Sequence, residues 1–262
     1  MAKTPKSADP ALEPERVPHV NVICMKWGTK YGPEYINRLY AGVQRHLKRA
    51  HRFVCFTEDA TGIDPRVEIR PLPSLGLPPG PERGWLKLAT FAPKLADLTG
   101  VTLFLDVDVI ITGPLDIFFE PPAPFYIMKD FNPKRPGVGN SSVYRFVIGA
   151  HASVLADFVA DFEKVKREHR NEQEYLTAAM KDLGVLNYWP DDWAVSYKKR
   201  CIPSFPKSLW TAPSAPADTR IVIFHGNPKP EEAMIGKGNK WYRPARAAPW
   251  VGAAWYGENQ ES

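Results

Sequence analysis

An α/β fold, a single domain around a parallel sheet, is predicted by three features of the sequence. The first is a strand, helix, strand series near the front. "HVNVICMKW" clusters β-branched residues in a short run, and "RFVCFTED" is a second such run, ended by Thr57, Glu58 and Asp59. Between them, "GPEYINRLYAGVQRHL" repeats Ile36, Leu39, Tyr40, Val43 and Leu47 at helical spacing. A crossover of this length is right-handed and leaves its strands parallel. The second feature is bulk: 262 residues, 44% apolar and 12% aromatic, can bury a sizeable core, and one large domain is favoured over two small ones. The third is "GVTLFLDVDVIITGPLD", Gly100 to Asp116, in which an apolar run meets two carboxylates and then resumes. In open α/β sheets, ligands bind at the carboxyl ends of the strands, where such a pair falls.

The remaining elements follow in order. Residues 1–18 are polar and rich in Pro, Lys and Glu, the composition of a disordered tail. After the second strand, the Pro-rich "PLPSLGLPPGPERG" leads to "WLKLATFAPKLADLTG", where Leu86, Leu88, Phe91 and Leu95 predict a helix that Pro93 should kink or divide. "GVTLFLDVDVIITGPLD" is read as one strand, with "PFYIMKD" and "SSVYRFVIG" as others. "HASVLADFVADFEKVKREH" has the clearest helical period, with Val154, Leu155, Phe158, Val159, Phe162 and Val165 on one face. "EQEYLTAAMKDLG" is a further helix with Gly184 as its C-cap. "RIVIFHGNPKP" is a late strand stopping at His225 and Gly226, and the basic, aromatic stretch beyond it shows little periodicity. This gives a tail over 1–18, a domain over 19–230 and a C-terminal extension over 231–262.

Charge and cysteine usage narrow the partners. The balance of 34 basic to 29 acidic residues gives +5, too mild an excess to indicate nucleic acid. Cys24, Cys55 and Cys201 lack CxxC spacing, and two of them sit inside apolar runs, which fits reduced, buried thiols and a cytoplasmic setting. The start has no apolar core of the signal-peptide kind, and no run approaches the roughly 18 apolar residues that span a bilayer. Any membrane contact is then peripheral, on the inner face.

Because side chains alternate along a strand, Asp106 and Asp108 share a face and Val107 takes the other. Two like charges this close repel unless a cation or hydrogen bonds compensate them, and a divalent metal is the simplest compensator. The bland reading is a pair of loop-capping acids. The balance shifts at "FHGNPKP", where His225 ends another apolar strand beside Gly226, which permits close backbone approach, and Lys229, which can neutralise phosphate. Asp106, Asp108 and His225 with Lys229 are the groups that would hold a metal-bound diphosphate, with Mn²⁺ suited to such a set and Mg²⁺ less specifically so.

"LFLDVDVIITGPLD" together with "HGNPKP" resembles the nucleotide-sugar glycosyltransferases of GT-A fold, most like the glycogenin and lipopolysaccharide galactosyltransferase group. The resemblance covers most of the chain from about Val20 to Pro230. It implies a Rossmann-like single domain with a mixed, mostly parallel central sheet flanked by helices. It also implies a nucleotide-sugar donor and a glycan, lipid-linked or other hydroxyl acceptor. Asp106, Val107, Gly226 and Lys229 then fall in the donor site, although Gly226 follows His225 directly where the group spaces them by two residues. Lys87, in "GWLKLATF", takes the place of a donor-contacting basic residue. Asn140 and Ser141, in "GVGNSSVYRF", match the segment lining the sugar pocket, with Ser142 where a glycine is usual. Glu172, Gln173 and Glu174 match an Asp-Gln-Asp stretch, which implies Gln173 near the anomeric carbon and Glu172 or Glu174 at acceptor hydroxyls. Thr29 and Tyr31, in "CMKWGTKYG", match the base and ribose site.

Each of these has an ordinary structural counterpart: a solvated lysine, a turn, acids in a first helical turn. The resemblance implies transfer with retention, while Asp130, Glu172, Asp191 and Asp192 are available as the base of an inverting route. UDP is the implied nucleotide, with GDP open. In the extension, Lys237, Lys240, Arg243 and Arg246 interleave with Trp241, Tyr242, Trp250 and Trp255 and could rest on an anionic leaflet, although Pro244 and Pro249 speak against a regular amphipathic helix. Two other classes remain: an aspartyl-phosphate phosphohydrolase built on "LDVDVI", and a non-catalytic nucleotide-sugar or glycan-binding module.

Overall fold

A computed structural model describes residues 19–76, 81–238 and 244–257. The expected tail over 1–18, and Lys240, Trp241, Tyr242 and Arg243 of the extension, lie outside the described residues.

The chain forms β1 (Val20–Lys26), α1 (Pro33–His46), β2 (His51–Thr57) and β3 (Glu68–Pro71), then β4 (Val101–Leu105), β5 (Val109–Ile111), β6 (Tyr126–Lys129) and β7 (Gly139–Val147). There follow α2 (Ser153–Ala160), α3 (Phe162–Glu168), α4 (Glu172–Asp182), β8 (Ala194–Ser196), β9 (Ile221–Ile223), α5 (Pro230–Met234) and α6 (Pro249–Tyr256). Six strands make the central sheet in the order β3-β2-β1-β4-β7-β6, and β7 alone runs against the others. The fold is thus α/β with a mixed, mostly parallel sheet. A smaller sheet, β5-β9-β8, stands beside it.

Alternation along the central strands divides the interior into two layers. Val22 and Cys24 of β1 and Leu103 and Leu105 of β4 pack with Ile36, Leu39 and Val43 of α1. Ile23, Met25 and Phe104 face the other way, against Trp85, Leu88, Phe91 and Phe146. All seven residues of β1 are buried, as expected of a strand covered on both faces, and its apolar residues run almost unbroken, interrupted by Asn21 and ended by Lys26.

Three elements depart from the sequence reading. The stretch expected as one strand through the aspartates is two, because β4 belongs to the central sheet and β5 pairs with β9 in the smaller one. The chain changes sheets across Asp106, Val107 and Asp108. The long amphipathic helix is divided at Asp161, whose φ of −149° breaks the helix and whose side chain accepts the Lys164 N–H at 3.1 Å, capping α3. Val159, expected on its buried face, is exposed. The segment before Pro93 is a 3₁₀ helix, Pro81–Phe91, ending two residues before the proline.

In the extension, Pro249 starts α6 from its first turn, where a missing N–H costs nothing, so it opens a helix where the sequence reading had it blocking one. Trp255 is buried against Tyr35 of α1, and Trp250 donates its indole N–H to Pro213 O at 2.8 Å. Both rings are spent on the protein itself. No helix among the described residues is long and apolar enough to cross a membrane.

Candidate functional site

The strand switch creates the site. Asp106 N–H bonds to Ser142 O of β7 at 2.9 Å, and Asp108 O accepts the N–H of Phe224, just past β9, at 3.0 Å. One backbone turn is therefore pinned to both sheets. Asp106, Asp108 and the largely buried Val107 between them border a cavity of about 250 Å³. Its other walls include Lys30 and Tyr31 from the loop after β1, Gly84 and Lys87 from the 3₁₀ helix, and Glu172 from the start of α4.

Polar contacts run across this cavity. Lys87 Nζ lies 2.7 Å and 2.8 Å from the two Asp106 oxygens and 3.5 Å from Ser141 Oγ. Ser141 in turn donates to Glu172 Oε1 at 2.8 Å. Tyr31 donates its hydroxyl to Asp108 Oδ2 at 2.5 Å. Its ring has Lys30 Nζ at 4.7 Å and Lys229 Nζ at 5.5 Å from the centroid.

Burial, then repulsion from Asp106, pushes the Asp108 carboxyl up to about 6, against the opposing pull of Tyr31, Lys87 and Lys30. For Lys87, burial favours the neutral amine, but Asp106, Glu172 and Asp108 outweigh it and hold the ammonium above its ordinary value. Burial and Asp108 likewise keep the Tyr31 phenol protonated.

Other expected residues lie elsewhere. Thr29 is exposed in the loop carrying Tyr31. Asn140 accepts the Ser142 N–H at 3.0 Å, and neither Asn140, Gln173 nor Glu174 lines the cavity. Arg135 links Glu174, at 3.5 Å, to Asp130, at 3.8 Å. Gly226 has φ +76°, a conformation glycine takes freely, and an added Cβ would stand 3.3 Å from Lys198 Nζ.

His225 is not gathered with the aspartates. Its Nε2 lies 2.6 Å from Ser196 Oγ and its ring stacks on Phe131 at 5.4 Å. Burial, then Lys198 and Lys199, pushes its pKa down to about 4. Among the described residues, no group of three or more His, Cys, Asp and Glu side chains is placed to hold a metal ion. What the cavity offers a cation is two hard carboxylates, a donor set that fits Mn²⁺ or Mg²⁺ when water and phosphate oxygens complete the shell.

Phe131 leads to a second cavity, about 480 Å³, bordered by Asp130, Trp189, Asp191, Lys199 and Arg200 among others. A third, about 620 Å³, lies at the ends of β2 and β3 around Glu58, Leu72 and Leu75. It is larger than the aspartate cavity but holds neither Asp106 nor Asp108. Lys30 and Gly84 were not singled out from sequence. Lys30 sits between two residues that were, and Gly84 leaves room for Glu172, whose Oε2 would stand 3.4 Å from an added Cβ.

Solved structures share this architecture. The galactosyltransferase LgtC, crystallised with donor and acceptor sugar analogs, matches over 80% of this chain and 88% of its own, with a TM-score of 0.53 and 14% identity. The glycosyltransferase GlyE of Streptococcus pneumoniae TIGR4 matches over 92% of this chain, with a TM-score of 0.59 and 14% identity. The chain has the GT-A fold of these glycosyltransferases. The bifunctional WbbM matches at TM-score 0.53 and 13% identity over 84% of the chain. The chain spans 61% of the GlyE chain and 48% of the WbbM chain. No protein-family model matches it, and no curated protein matches it in sequence. Within this GT-A fold, the aspartate pair occupies the junction between the two sheets.

Proposed function

We propose that the protein is a metal-dependent glycosyltransferase that moves a sugar from a nucleotide-diphosphate donor, a UDP-sugar, to a hydroxyl acceptor on a glycan or lipid-linked molecule. The observation that carries this reading is Asp106 and Asp108 side by side on the wall of one cavity, at the end of β4, in a GT-A fold.

Asp106 and Asp108 would hold Mn²⁺ or Mg²⁺, which when bound offsets charge developing on the departing diphosphate. Lys30 and Lys229, both over the Tyr31 ring, provide protein-borne positive charge at the same rim. Lys87, Ser141 and Glu172 form a connected polar wall suited to orienting sugar hydroxyls. Gln173, in the first turn of α4, is assigned to the anomeric side, with Asn140 and Glu174 beside the sugar and acceptor. Asp130 borders the second cavity, the place assigned to the acceptor, and is the group for proton removal there. Thr29, Val107 and Gly226 complete the donor site. His225, engaged by Ser196 and Phe131, is left out of the metal set.

The deciding experiment is calorimetric titration of UDP and GDP with and without Mn²⁺, on the native protein and on Asp106→Asn and Asp108→Asn. UDP binding that requires metal and is lost in both variants is expected. Failure of the folded native protein to bind either nucleotide overturns the reading and directs attention to phosphatase assays.

A further inference from the structure

Six large apolar side chains are conspicuously exposed among the described residues, and three of them, Phe205, Leu209 and Trp210, fall within six positions. They are 69%, 49% and 61% exposed. Scattered surface apolar residues need no explanation, but a local concentration marks a contact site.

The backbone here is a fixed projection. Tyr197 and Cys201, the ends of a π-helical turn, are buried, as is Ile202, and Ser214 N–H bonds back to Cys201 O at 3.0 Å, closing the base. Trp250 of α6 clamps the same base through Pro213 O at 2.8 Å. At the tip, Leu209 N–H bonds to Pro206 O at 3.0 Å, and Trp210 and Thr211 N–H groups bond to Lys207 O at 3.2 Å and 2.9 Å. Several tip N–H groups are thus paired within the tip, which lowers the cost of leaving bulk water.

Charge identifies the occupant. Between Asp192 and Asp218 the sequence holds Lys198, Lys199, Arg200 and Lys207 and no acidic residue; Arg200 is paired with Asp192, which leaves Lys199 and Lys207 as the exposed cations nearest the tip. Lys199, which precedes the apolar tip in sequence, and Lys207, which sits within it between Phe205 and Leu209, are both exposed. Basic residues next to exposed Trp, Phe and Leu match an interface with anionic headgroups outside and acyl chains beneath. A second copy of this chain fits poorly, since symmetric pairing would set the same basic residues against themselves.

We propose that the projection from Ser204 to Thr211 is a membrane-docking tip, which seats Phe205, Leu209 and Trp210 in the headgroup layer of an anionic bilayer with Lys199 and Lys207 at its phosphates. This differs from the C-terminal contact expected from sequence, because Trp250 and Trp255 are packed inward and Trp250 braces the tip. Docking does not depend on the transferase reading. On that reading, it presents the second cavity, whose wall includes Lys199 and Arg200, to an acceptor carried in the membrane.

The test is co-sedimentation of the full chain with vesicles of phosphatidylcholine alone and of phosphatidylcholine mixed with phosphatidylglycerol. The native protein is expected to pellet with the mixed vesicles and stay in solution with the neutral ones. Phe205→Ser/Leu209→Ser/Trp210→Ser should weaken binding at least about tenfold, and Lys207→Glu should weaken it at low salt by a margin that shrinks as salt rises. All four residues are exposed, so melting temperatures should match the native one. UDP titration of the triple variant separates the two readings, since donor binding should persist there. The proposal is overturned if the native protein ignores both vesicle types, or if the triple variant binds as well as the native chain. It is also overturned if sedimentation velocity shows a native dimer that the triple variant dissolves.

Discussion

Lys87 Nζ sits between the two oxygens of Asp106, at 2.7 Å and 2.8 Å, so the first acid of the motif already has a built-in counterion. Lys87 comes from the 3₁₀ helix and Asp106 from the end of β4, and the pair therefore ties two elements as well as balancing charge. Removing one partner of a fully buried pair costs about 3–5 kcal/mol. With Lys87 11% and Asp106 22% exposed at the side chain, about 2–3 kcal/mol is the appropriate scale. Lys87→Met should lower the melting temperature by roughly 4–10 °C. Adding Asp106→Asn should restore part of that loss, because the stranded charge is removed. Native-like melting of the Lys87→Met protein would contradict this account.

Asp161 makes a separate, purely structural prediction. Its side chain caps α3 where the chain breaks from α2, accepting the Lys164 N–H. Asp161→Ala should cost about 1 kcal/mol, a melting shift of about 2–4 °C, with nucleotide binding unaltered. A larger loss would mean that the break between the helices depends on more than the cap.

Asp161 also shows where sequence reading stops. The apolar spacing of residues 153–168 is continuous, so periodicity alone predicts one helix, and only the capping geometry reveals two. The same limit hid the division at Asp106–Asp108, since "LFLDVDVII" has strand composition throughout and nothing local says that its halves pair in different sheets. β3 and β8 escaped because "EIRP" and "AVS" are too short to show a period. By contrast, β1, α1 and β2 were legible because burial on both sheet faces, or on one helix face, writes itself into the order of apolar residues. In the site, strand alternation predicted Asp106 and Asp108 on one face and Val107 on the other, but the three residues lie in the turn between β4 and β5 and all border one cavity; Lys87 was legible only through the resemblance of its segment. The bond from His225 to Ser196 joins residues 29 positions apart and has no local trace.

His225 gives the pH dependence. Burial, then Lys198 and Lys199, depresses its folded-state pKa to about 4 from an ordinary 6.5. The unfolded chain therefore binds more protons between those values. The stabilising effect of keeping the imidazole neutral is complete above pH 6.5 and is lost as pH falls through 4. At pH 5, the loss from this group alone is up to about 2 kcal/mol, at 1.36 kcal/mol per unit. Protonation of Asp108, whose pKa is raised to about 6, acts in the opposite direction over the same window, so denaturant unfolding at pH 7.5 and pH 5, with chelator present, should show the His225 loss as the difference between the native protein and a His225 variant. His225→Gln, which keeps a polar partner for Ser196, should lose less stability towards acid. Equal slopes in the two proteins would remove His225 as the cause.

Tyr31 links Asp108, a proposed metal ligand, to the cations around it, and its two contacts can be separated. The hydroxyl, 2.5 Å from Asp108 Oδ2, favours the charged carboxylate, while the ring carries Lys30 and Lys229 on its faces. A hydrogen bond to a charged group contributes about 1.5–3 kcal/mol, and 1.4 kcal/mol is a factor of ten in affinity. Tyr31→Phe should then weaken Mn²⁺-dependent UDP binding at least about tenfold. The loss should be greater at pH 6 than at pH 8, because without the hydroxyl the Asp108 pKa rises above its value of about 6 and more of the site is protonated. Tyr31→Ala should lose more at both pH values, since the ring that positions the two lysines goes as well. If Tyr31→Phe binds UDP as tightly as the native protein at pH 6, the hydroxyl does not prepare Asp108 for a cation. The ring's cation contacts would then be the whole of its contribution.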